Sequence, residues 1–75
     1  ITFEQARERV QEMTSLTDEQ TQEILEKISD IEKTYKENSN KKSKWEKVKP
    51  ILAWLTDKSF DVGMTLLPLL LKIQS

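Results

Sequence analysis

The sequence predicts an all-α domain of four helices folded as two helical hairpins, the C-terminal hairpin being the more apolar. Three observations carry this. With one Gly, two Pro and 33% charged residues, the chain suits mostly helix with short connections. Ser or Thr stands three residues before Glu or Gln at Thr2 and Gln5, Thr17 and Gln20, and Ser43 and Glu46, the spacing of a capping box. After each of these signals, apolar residues recur at steps of three and four, which is the helical period.

The first helix is expected over about residues 3–13, where Phe3, Ala6, Val10 and Met13 share a face before Thr14-Ser15-Leu16 interrupts it. The second runs over about 18–37. Its set Thr21, Ile24, Ile28, Ile31 and Tyr35 alternates steps of three and four as a heptad seam does, widened at one level by Leu25. So narrow a stripe suits packing on one or two neighbours. Asn38-Ser39-Asn40-Lys41-Lys42 then reads as a polar linker over 38–42, since Asn tolerates the left-handed conformation at a helix end.

A third helix over about 44–57 carries Trp45, Val48, Ile51, Leu52, Trp54 and Leu55, with Pro50 expected to bend it. The fourth, about 60–73, is announced by Ser59 and by Asp61 in its first turn. Pro68 inside it frees the carbonyl of Met64 and predicts a kink. Gly63 costs roughly 1 kcal/mol there relative to Ala, which predicts a closely approaching helix that needs its missing side chain. The apolar hairpin, about 44–73, is thus the expected heart of the fold, with the first two helices as its amphipathic cover.

Seventy-five residues suffice for one domain of marginal stability. There is neither Cys nor His, so disulfides, thiolate metal sites and the commonest general base are absent from the sequence. The chain begins at Ile1, and a fragment of a longer protein is the expectation, with oligomerisation or the parent chain as the added source of stability. The first residues are not a secretory signal, and the absence of Cys fits a reducing compartment, so a cytoplasmic location is expected. Val62 to Ile73 is too short to span a bilayer, which takes about 20 apolar residues.

No enzyme activity, cofactor, metal or small-molecule substrate is expected from this residue set. Asp57 and Asp61, four apart, are better read as charges at a helix boundary than as a metal or acid–base pair. Glu4, Glu8 and Glu12, with Arg7 and Arg9 beside them, read as a solvated helix face.

Charge is uneven along the chain. Residues 1–40 hold ten acids against five bases, and residues 41–75 hold seven bases against three acids, so the halves carry about −5 and +4. Lys41, Lys42, Lys44, Lys47 and Lys49 surround Trp45 in a patch that could contact an anion or nucleic acid, yet it holds no Arg and no recognition motif accompanies it.

The fourth helix is apolar around most of its circumference, and three short neighbours cannot readily cover all of it. The expected buried centre is Val62, Leu66, Leu69, Leu70 and Ile73, with Trp45 and Trp54. Met64, Leu67 and Leu71 lie roughly opposite and, with Gly63, are the candidate interface. The expected function is a non-enzymatic protein-interaction or self-association module acting by apolar helix docking. The alternatives are a membrane-associating element and, third, weak nucleic-acid binding through residues 41–49.

Overall fold

A computed structural model of the chain describes residues 1–74. It contains four α-helices, α1 (Phe3–Gln11), α2 (Asp18–Lys36), α3 (Lys41–Leu55) and α4 (Phe60–Gln74), and no strand among the described residues.

The first two capping boxes set their helices as the spacing predicts. Thr2 Oγ1 accepts the Gln5 N–H at 3.1 Å while Gln5 Oε1 accepts the Thr2 N–H at 2.9 Å. Thr17 and Gln20 repeat the arrangement at the same distances. Each box satisfies two backbone donors that a helix start otherwise leaves open. Helix α1 stops at Gln11, short of the expected Met13, although Met13 still packs on the core.

Helix α3 departs from the sequence reading. It begins at Lys41, and Asn40 is its N-cap, with Oδ1 accepting the Ser43 N–H at 2.8 Å, so Ser43 supplies a donor instead of capping. Asn is among the best N-cap residues, and the earlier start adds a turn of helix. The linker shrinks to residues 37–40, and Lys41 and Lys42 become first-turn residues. Lys44 Nζ then reaches the Tyr35 carbonyl at 2.8 Å and Lys47 pairs with Glu37 at 2.5 Å, placing two cations at the negative end of the α2 dipole.

Neither proline ends its helix. Pro50 lies on the exposed side of α3, where water can take the carbonyl it frees, and α4 continues through Pro68 to Gln74. At the start of α4, Ser59 Oγ accepts the Val62 N–H at a long 3.4 Å, and its carbonyl accepts the Gly63 N–H at 3.0 Å.

All four helices feed one core: Phe3, Ala6 and Val10 from α1, Ile24, Ile28 and Ile31 from α2, Val48, Ile51 and Leu55 from α3, and Val62, Leu66, Leu69, Leu70 and Ile73 from α4. Helix α1 packs on α2 and α3 on α4. Helices α2 and α4 each also touch all the others, so these two form the central diagonal. The expected α3–α4 hairpin is the most extensive helix pairing, with α2 joining α4 at the centre, and one expectation is corrected: the α2 seam serves three neighbours instead of one or two. At its last turn the seam steps to Thr34, which is buried, while Tyr35 is 43% exposed, its ring tilted against Phe3 with centroids 5.7 Å apart.

The tryptophans are corrected as well. Trp45 and Trp54 are only partly buried and pack against the rim of the core. The Trp54 indole lies beneath the Lys58 ammonium at 4.8 Å and the Lys27 ammonium at 5.5 Å, and its Nε1 is shut off from solvent without a hydrogen-bond partner. A core this small fills with branched aliphatic side chains, and large indoles with a donor to satisfy sit at its edge. Across the α1–α2 contact, Arg7 bridges Glu4 at 3.1 Å and Glu32 at 2.5 Å, so one cation of the expected solvated face ties two helices together.

Candidate functional site

Steps of 4, 3 and 4 along α4 bring Phe60, Met64, Leu67 and Leu71 to one side of the helix. They are 78, 52, 39 and 55% exposed. The residues that alternate with them, Val62, Thr65, Leu66, Leu69, Leu70 and Ile73, are buried against the other helices. Helix α4 therefore has two apolar faces, one consumed by the core and one left outward. Over eleven residues at 1.5 Å each the outer stripe is about 16 Å long, with the spacing of a knobs-into-holes seam.

The stripe has different flanks. On one side, Gly63, Met64 and Leu67 meet Leu52, Leu55, Thr56 and Lys58 in a largely apolar groove between α3 and α4. On the other, Asp61, Met64 and Thr65 meet Arg9 of α1 and Glu12 and Met13 just beyond its end in a more polar groove. Thr65 contributes no free polar group there, since its hydroxyl donates to the Asp61 carbonyl at 2.8 Å. The radius of gyration, 11.9 Å, is near the roughly 11 Å expected for a packed chain of this length, so the stripe is not the product of a splayed helix.

The helix expected beside Gly63 is not one of this chain's own. A Cβ built there would meet nothing within 4 Å, so no helix of this chain approaches it closely. Its backbone opens to the solvent side of the α3–α4 groove.

Of the sequence-selected interface residues, Met64, Leu67 and Leu71 stand on the stripe and Gly63 on its α3 flank. Phe60, the most exposed large apolar side chain among the described residues, was not selected, because it was read only as a helix start. The signal was available: the interval from Phe60 to Met64 continues the spacing of Met64, Leu67 and Leu71.

The lysine patch is divided. Lys44 and Lys47 engage the end of α2, and the Lys44 ammonium also lies 5.9 Å over the Tyr35 ring. Lys41 and Lys42 border a shallow depression with Trp45 and Gln74, and Lys49 is exposed. Two of five cations are thus occupied in closing the α2–α3 connection.

Asp57 lies in the α3–α4 turn and Asp61 in the first turn of α4, both exposed. Among the described residues no group of three or more His, Cys, Asp or Glu is arranged to hold a metal ion, and no helix is long and apolar enough to cross a membrane. One carboxyl is perturbed. The Arg7 guanidinium, by hydrogen bond first and charge second, holds Glu32 below the usual carboxylate range despite an opposing desolvation, with Lys36 at 3.4 Å assisting. Both partners of the Arg7–Glu32 pair are structural.

No protein-family model, curated protein or solved structure matches the chain.

Proposed function

We propose that this chain is a non-enzymatic interaction module that docks through the outer stripe of α4 onto an apolar helix of another polypeptide. The observation that carries the reading is that Phe60, Met64, Leu67 and Leu71 form an aligned apolar row on a helix whose opposite face is fully used by the core. Single exposed apolar residues are ordinary, whereas a contiguous row marks a surface that another molecule covers. Its seam-like spacing favours a helix as the covering element. The Asp61 end of the stripe is less suited to a lipid surface, because Arg9 and Glu12 beside it cancel and leave the Asp61 carboxylate to repel anionic headgroups.

The test is the double variant Leu67→Asp, Leu71→Asp. Wherever the parent chain associates, light scattering across a concentration series should register the loss of that association in the variant. Circular dichroism should find the helices of the variant intact. Unfolding of the variant would mean that the stripe belongs to the core and would overturn the reading. Leucine-dependent co-sedimentation with anionic vesicles, without association between polypeptides, would replace it with the membrane reading.

A further inference from the structure

We infer that the helix covering the stripe is α4 of a second copy, laid antiparallel about a two-fold axis between Met64 and Leu67. The inference rests on the docking reading above and adds the occupant and its orientation.

An antiparallel pair of identical stripes sets Phe60 opposite Leu71 of the second copy and Met64 opposite its Leu67, so each large side chain meets one of another shape and every apolar position is used twice. Such an isologous arrangement closes on itself and leaves no exposed stripe to propagate a fibre.

Charge selects the direction. At 100° per residue, Asp61 and Lys72 lie on the same flank of the stripe, in the first and last turns of α4. When two helices run antiparallel, like flanks face each other, so Asp61 of each copy comes beside Lys72 of the other, twice by symmetry. The other charged side chains in the Asp61 groove, Arg9 and Glu12, cancel and leave that end net negative. A parallel pair would instead set the flank carrying Asp61 and Lys72 against the Gly63 flank, forgoing both Asp61–Lys72 pairs, and would align both helix dipoles, which is unfavourable.

Gly63 supplies an independent reason for a close visitor. A glycine within a helix costs stability, and nothing in this chain occupies the space beside it. On the α3 flank of the stripe, its bare backbone lets the facing helix settle deeper into the α3–α4 groove. A stable interface needs about 600 Å² from each partner, and the stripe with the groove walls Leu52, Thr56 and Lys58 must supply this from the 5089 Å² surface of the chain.

Two charge reversals test the arrangement by sedimentation equilibrium at low salt. Asp61→Lys alone and Lys72→Asp alone should each weaken dimerisation about tenfold, because each replaces two attractions by two repulsions. An equimolar mixture of the two variants should recover parental affinity, since every facing pair is then opposite in sign. Each reversal also opposes the α4 dipole, but that effect persists in the mixture, so recovery cannot come from it. A parent chain that stays monomeric overturns the second-copy occupant, and a dimer insensitive to both reversals, or not rescued by mixing, overturns the antiparallel geometry. Either result leaves the docking reading standing, because that reading falls only if the leucine-to-aspartate variant unfolds or membrane binding replaces it.

Discussion

Leu70 and Leu71 are neighbours of the same type on the same helix, and truncating each to Ala measures which way α4 faces. Leu70 is fully buried and Leu71 is 55% exposed. Leu→Ala removes three carbons, about 2.4 kcal/mol of transfer free energy at about 0.8 kcal/mol per buried CH2. At Leu70 the cavity left behind adds to this, for a cost of about 3–5 kcal/mol. At Leu71 at most the remaining 45% of the side chain is buried, which limits the loss to about 1.1 kcal/mol, and solvent fills the space without a cavity. Total stability at 0.05–0.15 kcal/mol per residue is about 4–11 kcal/mol for 75 residues, so Leu70→Ala consumes a large share of it. The assay is urea unfolding followed by circular dichroism at dilutions where the midpoint no longer depends on concentration, so that association does not contribute. Should Leu70→Ala fail to fold, Leu70→Met against Leu71→Met asks the same question with a cost under about 1.5 kcal/mol at the buried site. Equal costs, or a larger cost at Leu71, would mean that α4 is rotated about its axis and that the outer stripe is core.

Three further outcomes follow from the same geometry. Asn40→Ala should cost about 1 kcal/mol in urea unfolding and Ser43→Ala nothing, because Asn40 caps α3 and Ser43 gives only a backbone N–H that Ala keeps; the reverse order would restore the later helix start. Gly63→Ala should raise monomer stability by about 0.5–1 kcal/mol, since its Cβ meets nothing, while weakening self-association; a destabilised monomer would mean the space is not open. Glu32 has its folded carboxyl pKa lowered from 4.5, so the ionised pair stabilises the fold above that value and the contribution is lost as pH falls through the folded pKa. Because both partners are about a quarter exposed, Glu32→Gln should cost about 1 kcal/mol or less at neutral pH and progressively less as pH falls through the folded pKa, and a pH-independent cost would remove the ion pair as its cause.

Helices and core were legible wherever one local rule decided. Thr2 and Thr17 start helices because each has its reciprocal Gln three residues on, and period alone separated Val62, Leu66, Leu69, Leu70 and Ile73 from Met64, Leu67 and Leu71. The rule misled where two signals competed. Asn40 and Ser43 both offer an acceptor, and contacts of Lys44 and Lys47 with the end of α2, invisible in a linear reading, accompany the earlier start. Trp45 and Trp54 were assigned to the core because they fall in the apolar third helix, yet the core is filled largely by isoleucines, leucines and valines, leaving the indoles at its edge. Gly63 was read as needing a close helix without saying whose; its open side is a property of the assembled bundle, and no local pattern encodes it. Phe60 was lost because a residue beside a helix boundary was treated as punctuation and not as part of a stripe.

The most direct test of the account is the absolute mass of the parent chain in solution, measured by light scattering across a concentration series at moderate salt. The account predicts a mass that rises from 8.8 kDa toward twice that value and reverts to 8.8 kDa in the folded Leu67→Asp, Leu71→Asp variant. A mass that stays at 8.8 kDa at every concentration would contradict self-association through α4.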